Sequence, residues 1–390
     1  MKRTAGIIAA ALLMVGSVAL PPAASAASTA TYSATQTIPV PPASTYAGGG
    51  GGDGWGVAMT PTAVYNIFHH SGSLTIACHL QSDASACWNP ETISDASGNG
   101  FATPAQPGLW INQATGKLYT FATRTDMTGG VVCIDTTQAA TNPNPFCGFT
   151  ALTSAAEAPI NGMSGLSAPA IVGTRMYSFN YVQNASVTGT QNKLLCFDLT
   201  TFAACGSQPY TLTTGAGTDL IQDGNYPSPA VATIGGHVIV PLRLSAADEL
   251  ACYDPATGGN CAGSWPVQLG GVGAYDSSYG APYPMLEGAG VTTGLCLPTG
   301  TDPCYSLAGT SVATPTGMTS AISATSGWNG AAFTLGPRVY VPNGNRDAVE
   351  CYDYGTSASC VGFPKAMANL GLLYTVNSDP QRPTCVWVNR

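Results

Sequence analysis

Charge is what this chain has least of. Asp, Glu, Lys and Arg together make up 8% of its 390 residues, against about 25% in an ordinary globular domain. The 12 Lys and Arg form no cluster beyond Lys2-Arg3. Nucleic acid is therefore not an expected partner, because phosphate binding needs grouped cations. Histidine is scarcer still, with His69, His70, His79 and His237 only. His69 and His70 are adjacent on an extended segment and point to opposite faces, so they do not form a two-ligand metal site. Also missing are a Gly-x-Ser-x-Gly elbow, a His-Glu-x-x-His helix, a phosphate-binding loop and an EF-hand loop. No catalytic residue, metal site or cofactor is assigned. Amphipathic helical periodicity is absent after the first twenty residues, and no later segment is long and apolar enough to span a bilayer.

Gly (47), Pro (29), Ser and Thr fill the space that charge leaves. They favour turns and short strands over helices. The chain opens with Lys2-Arg3, an uncharged apolar stretch from Ala5 to Leu20, and Ala24-Ser25-Ala26, the pattern of a secretory signal peptide over 1–26. Secretion to the extracellular space or cell surface is the expected localisation. Residues 27–52 are rich in Ala, Ser, Thr and Pro, end in Gly48 to Gly52, and read as a flexible leader. Within it, Thr35 to Val40 could add a strand to the last unit.

Thirteen cysteines in an exported chain imply disulfides. Twelve fall in local pairs: Cys78/Cys87, Cys133/Cys147, Cys196/Cys205, Cys252/Cys261, Cys296/Cys304 and Cys351/Cys360. Each pair is expected to face across the base of a hairpin, where Cα separations suit a disulfide. The first members lie 55, 63, 56, 44 and 55 residues apart, a spacing that marks repeated supersecondary units. The units share text. Cys133-Ile134-Asp135, Cys196-Phe197-Asp198, Cys252-Tyr253-Asp254 and Cys351-Tyr352-Asp353 each lead from an apolar strand into a turn. Asp at such a point caps its own backbone, so these four carboxylates are read as structural. Upstream of each pair come a small-residue strand, a Gly-containing turn and a Tyr/Val strand, as in Ala168 to Tyr177 or Gly330 to Val341.

Each unit thus supplies about four strands. The expected fold is an all-β propeller over 53–390 with one local disulfide in each of six blades. A seventh blade is expected to be incomplete, or closed by the N-terminal strand. Leu372 to Val376 and Thr384 to Val388 would open it, leaving Cys385 without a local partner. The fifth unit leaves room for fewer strands between Ala281 and Cys296. Metal binding by the cysteines is disfavoured, because the pairs sit in different blades with no Cys-x-x-Cys or neighbouring His pattern.

Asp254-Pro255-Ala256-Thr257-Gly258 with Trp265 resembles the Asp-x-x-Thr-Gly…Trp blade signature of quinoprotein-like (PQQ-like) propellers, although the spacing to Trp265 is longer. The Gly-rich turns before Tyr/Val strands are similar to those of kelch and galactose-oxidase-like propellers. The resemblance implies a secreted bacterial propeller fold. It does not extend to activity, since none of the cofactor, calcium or copper residues of those families has a match here.

Candidate ligand contacts lie in the loops that lead into the small-residue strands, which in a propeller gather at one mouth of the channel. Trp55, Trp110, Tyr226, Trp328 and Asn329 offer aromatic faces and an amide, with Asp223 and Asp276 as nearby acids. Asp53, Glu157, Asn161, Asn225, Tyr279, Tyr283 and Glu287 share those loops. Three function classes follow. The first is a non-catalytic extracellular module that binds or presents a glycan, cell-wall material or a protein. The second is a carbohydrate-active enzyme with Asp223 and Asp276 as its first candidate acids. The third is a structural module of a larger surface protein.

Overall fold

The computed structural model describes residues 33–39, 56–366, 372–377 and 384–388. Within 56–366 it leaves out 71–72, 81, 84, 103–108, 156, 159–164, 168, 183–188, 216–230, 245, 272–281, 300–302, 324–331 and 344–347. The described chain forms seven antiparallel sheets in sequence order. In blade 1 the strands are Gly56–Met59, Ala63–His70, Ser73–Leu80 and Glu91–Ile93, each paired with the next. Blades 2, 3, 4 and 6 keep four positions but break one strand in two. In blades 2 and 3 it is the inner strand, Phe101–Ala102 with Trp110–Asn112, and Gly165–Leu166 with Ala170–Val172. In blades 4 and 6 it is the outer strand, Gly259–Asn260 with Val267–Gly270, and Ala358–Ser359 with Lys365–Ala366. Both outer breaks contain an aromatic–Pro step, Trp265-Pro266 and Phe363-Pro364, with a cis peptide.

Inner strands of successive blades touch: Gly56–Met59 meets Trp110–Asn112, and Ala232–Ile234 meets both Ala170–Val172 and Tyr283–Glu287. The expectation of small residues at this inner position holds in part. Gly56–Met59, Ala170–Val172 and Ala232–Ile234 begin with Gly or Ala, whereas Trp110–Asn112, Tyr283–Glu287 and Phe333–Leu335 contain bulky residues. The seventh sheet sets Ser33–Pro39 beside Leu372–Asn377 and then Thr384–Val388. Thr384–Val388 lies against strands of blade 6 and against Gly56–Met59 of blade 1, so the ring closes. The upstream strand expected near Thr35 to Val40 is the one that completes this sheet.

The core is not central. Among the described residues it lies between blades, in five apolar clusters that each join one sheet to the next. Strand alternation explains how one strand serves two clusters. In blade 3, Tyr177, Phe179, Leu194 and Cys196 face blade 4, where they meet Val238, Val240, Ala251 and Tyr253. Their neighbours Met176, Leu195 and Phe197 face blade 2 and meet Tyr119, Phe121 and Val131. A sheet buried on both faces needs nearly continuous apolar strands, which accounts for much of the missing charge.

The Cys-aromatic-Asp text now has a spatial meaning. The cysteine points to the following blade and the next residue to the preceding blade. The Asp is the last paired residue of the strand, its carboxylate bonded to the turn that follows. Aromatic residues opposite the cysteine, Tyr119 and Tyr177, pack on the residue after the cysteine one blade on, Phe197 at 5.9 Å and Tyr253 at 5.6 Å. Trp265, the signature tryptophan, donates its indole N–H to the Leu307 carbonyl of blade 5 at 3.0 Å.

All six local disulfides form as paired in the sequence: Cys78–Cys87, Cys133–Cys147, Cys196–Cys205, Cys252–Cys261, Cys296–Cys304 and Cys351–Cys360. Four of them share one geometry. The amides of Cys87, Cys205, Cys261 and Cys360 donate to the carbonyls of Cys78, Cys196, Cys252 and Cys351 at 2.9–3.1 Å, which sets each pair opposite one another. These four second cysteines are not strand residues themselves, which corrects the simple hairpin-base picture. Cys205, Cys261 and Cys360 come directly after the short strands Ala203–Ala204, Gly259–Asn260 and Ala358–Ser359, and Cys87 directly after the single bridge His79–Ala86. Cys360 is buried, and Cys87 packs into the apolar cluster between blades 1 and 2.

Blades 2 and 5 depart further from the expectation. In blade 2 the residue directly opposite Cys133 is Gly148, and Cys147 is the extra residue of a bulge in Phe146–Ala151. The longer turn of this pair, 14 residues against 9, is what shifts the register. Cys147 is consequently exposed, unlike Cys205, Cys261 and Cys360. Blade 5 has four strands, not fewer, and its cysteines sit on the second and third strands as the direct pair Cys296–Cys304. The missing length is made up after the second cysteine by Ser311–Val312.

Each of the four 9-residue links should contribute roughly 2–3 kcal/mol by restricting the unfolded chain. Replacing Cys196 and Cys205 together by Ala is therefore expected to lower unfolding free energy by about that amount in a urea titration with the fold retained. A second prediction concerns His79, which stands after Cys78 where other blades carry Ile, Phe or Tyr. It is buried, and burial pushes its pKa below the ordinary 6.5. The folded state thus binds the proton less readily than the unfolded chain. Its contribution is complete above about pH 6.5 and is lost as pH falls below that value. In melting curves taken from neutral to mildly acidic pH, His79→Phe should remove part of the decline on the acid side.

Candidate functional site

Each blade has two chemically different ends. At one end lie the turns between first and second strands and between third and outer strands. Here each Asp of the repeat folds back on its own turn. Asp198 accepts the Thr200 amide at 2.8 Å and the Thr201 amide at 3.1 Å; Asp254 accepts the Ala256 amide at 2.9 Å and Asp353 the Gly355 amide at 2.9 Å. Asp135 accepts the Thr137 hydroxyl at 2.6 Å. A cation often faces the acid across the second and third strands, as in the pairs Lys117–Asp135, Arg175–Asp198 and Arg338–Asp353. The last closes to 2.7 Å and is largely buried. The Thr200 hydroxyl and amide, with Arg175, hold the Asp198 carboxyl below the usual carboxylate range. These acids are structural, as the repeat implied.

In blade 4 the facing position is His237. One of its ring nitrogens lies within 4.8 Å of the sulfurs of Cys252 and Cys261. Both sulfurs are committed to a disulfide, so the three do not form a free donor set for a metal. Burial raises the Asp254 carboxyl, but the Ala256 amide, the Thr257 hydroxyl and His237 outweigh it.

At the other end, the hairpin between second and third strands meets the connector that arrives from the preceding blade. In four blades a polar side chain grips that connector, always from the face turned to the preceding blade. In blade 2, Arg124 reaches Asp95 at 2.9 Å, and Asp95 in turn caps the amides of Ser97 and Asn99 at 2.8 and 2.9 Å. In blade 3, Asn180 donates to the carbonyls of Glu157 and Thr190 at 2.8 and 3.0 Å, while the Thr190 hydroxyl donates to the Glu157 carboxylate at 2.7 Å. That bond is the main reason the Glu157 carboxyl lies below its ordinary value.

Blades 4 and 6 use buried acids. Glu249, fully buried, accepts the Gly215 amide at 2.9 Å and the Gln268 side-chain amide at 3.5 Å. Glu350, 1% exposed, accepts the Ser323 amide at 2.9 Å, the Ser323 hydroxyl and the Asn343 side-chain amide at 3.2 Å. Burying a carboxylate costs several kcal/mol unless hydrogen bonds offset it. Both acids meet that condition with donors from the connector and from their own blade.

Of the ligand contacts expected from sequence, Trp110 lies within the described residues. It is half-buried in the inner strand of blade 2, its ring 5.8 Å from that of Tyr119 and packed toward blade 3. Trp55, Asp223, Tyr226, Asp276, Trp328 and Asn329 lie outside the described residues, as do Asp53, Asn161, Asn225 and Tyr279. Glu287 is exposed at the end of its strand and Tyr283 is fully buried. The sequence reading missed Arg124, Asn180, Glu249, Asn343 and Glu350. A signal was present: in a chain so poor in charge, an acid or amide near the end of an apolar strand is conspicuous.

No protein-family model matches the chain, and no curated protein matches it in sequence. Among solved structures it is similar to the BP39L lectin from Burkholderia pseudomallei, with 12% identity and a TM-score of 0.51 over 87% of this chain and 96% of that one. It is also similar to the Dos1 propeller, with 10% identity and a TM-score of 0.44 over 87% and 92% of the two chains. The chain is a β-propeller. At such identity the likeness carries the fold alone, and the quinoprotein-like and kelch-like text remains a resemblance between blades.

The grips at the connector end are open to direct test. Replacing Asn180, which is fully buried, by Leu leaves the Glu157 and Thr190 carbonyls without this donor and should cost about 1–3 kcal/mol. A urea titration of Asn180→Leu against the parent chain checks this.

Proposed function

We propose that this propeller is a secreted, non-catalytic binding module that uses the connector end of the ring to hold an extracellular glycan or a similar polar ligand. The observation that carries the reading is the construction of that end. Four blades clamp the described part of their incoming connectors, at Asp95, Glu157, Gly215 and Ser323, with buried or part-buried polar side chains, which supports a fixed starting point for the loops at this end. The connectors concerned include those that carry Tyr226 and Trp328 with Asn329. Aromatic faces beside amides suit a sugar, offering an apolar surface and fixed hydrogen-bond partners together. The described acids Asp135, Asp198, Asp254, Asp353, Asp95, Glu249 and Glu350 all have structural partners. Six disulfides and a signal-like start support export to an oxidising compartment. Among the described residues no helix is long and apolar enough to cross a membrane. A lectin shares the fold, which shows one use of such a ring; the ligand of this chain is argued from its own residues.

The purified chain should bind a subset of a glycan array, with Trp55→Ala or Trp328→Ala reducing binding about tenfold and leaving the circular dichroism spectrum unchanged. Absence of binding across glycans and cell-wall fractions would overturn the reading. Release of sugar from an oligosaccharide, abolished in Asp223→Asn or Asp276→Asn, would replace it with a hydrolytic one.

A further inference from the structure

Five of the six disulfides have at least one cysteine sealed inside the ring: Cys78, Cys196, Cys252, Cys296 and Cys351 are each at most 2% exposed. The Cys133–Cys147 link of blade 2 is the exception, with Cys133 half-buried and Cys147 exposed. The space beside Cys147 is open as well. A methyl group placed on Gly148 would come within 4 Å of nothing beyond its chain neighbours. The bulge that displaces Cys147 also sets the bond apart from the strand ladder. Phe146 pairs with Ile134 and Gly148 with Cys133, on either side of it. The turn between the two cysteines is held without the disulfide. The Asp135 amide donates to the Pro145 carbonyl at 2.8 Å. Asn144 accepts the Ser94 amide at 3.1 Å and donates to the Ser94 carbonyl at 3.0 Å, which ties the turn to the end of blade 1. Opening this disulfide therefore breaks no backbone pair and leaves the turn anchored.

We propose that Cys147 is a thiol-exchange site, at which a low-molecular-weight thiol opens the Cys133–Cys147 bond while the ring stays folded. The incoming thiolate attacks Cys147 Sγ, and a new S–S bond to that sulfur forms as the old one breaks. The electron pair of the old bond leaves on Cys133 Sγ as a thiolate, which takes a proton from water. No net oxidant or reductant is consumed. Access sets the direction of attack, because the nucleophile must reach the sulfur from solvent and Cys147 is the exposed partner. The reverse step is attack by the Cys133 thiolate on the mixed disulfide, which releases the thiol and remakes the bond. The ladder pairs on either side keep the two cysteines adjacent for this, with their Cα atoms 5.0 Å apart.

The full chain itself tests this. Thiols outside the six disulfides are first capped with N-ethylmaleimide, and the folded protein is incubated with reduced glutathione, quenched in acid and mapped by peptide mass spectrometry. A glutathione adduct should appear on Cys147, with Cys133 as the new free thiol, about tenfold or more faster than any change at the other five disulfides. The circular dichroism spectrum should keep its parent form throughout. Removing glutathione before the quench should restore the Cys133–Cys147 bond. In Cys133→Ser/Cys147→Ser, the same treatment should leave the remaining five disulfides intact. An adduct on Cys133, a first reaction at another pair, or simultaneous opening of all six would overturn the proposal. So would an adduct that persists after glutathione is removed, or one that forms only when urea unfolds the ring.

Discussion

The structure depends on the packing of one sheet face against the next. Among the described residues no apolar cluster is confined to one blade: each joins a blade to the next, from blade 1 through to blade 6. Burying a large side chain in such an interface is worth roughly 1.5–3 kcal/mol, and the benefit arises only when the neighbour is present. The ring must therefore close, or two apolar faces would be left in water. Residues 33–39, 372–377 and 384–388 together provide the closing sheet. The same condition sets the composition. Charge is admitted chiefly at the blade ends, where Lys117, Arg175 and Arg338 meet the turn acids and Arg124, Glu249 and Glu350 meet the connectors.

Much of this was legible beforehand, because the repeat repeats its chemistry as well as its length. The step from Cys to an aromatic to Asp encodes three consecutive directions, toward one neighbour, toward the other, and out into a turn. Local cysteine spacing encodes which cysteines meet, and all six pairs do. These features follow from strand alternation and turn chemistry, which are properties of adjacent residues. Spacing says less about where each cysteine sits. Cys147 is displaced into a bulge by its longer turn, and the disulfide of blade 5 moved inward by one strand. The connector clasps were not anticipated because they join residues 23 to 34 positions apart, such as Asn180 with Glu157 and Glu249 with Gly215. Nothing in the local text of Glu249 announces its partner. Trp110 shows the same limit from the other side: its loop position suggested a ligand face, and its ring lies against Tyr119.

The two ends of the blades differ in how they are held. In blades 2, 3, 4 and 6 the turn end is closed by the same short local bonds from an Asp to its own turn. The connector end is held by longer-range bonds whose chemistry changes around the ring, from an ion pair in blade 2 to an amide in blade 3 and acids in blades 4 and 6. A ring with repeated packing and differing connector anchors can keep one scaffold while presenting different loops.

The disulfides have a consequence of another kind. Each of the six closes within a single blade, and among the described residues none joins two blades. Every such blade therefore carries its own cross-link within one contiguous stretch of chain. A gene segment encoding such a stretch can be duplicated or deleted without separating a cysteine from its mate. Oxidative folding gains in the same way, because a blade can form its correct bond as soon as its own residues have emerged, before the chain that completes the ring exists.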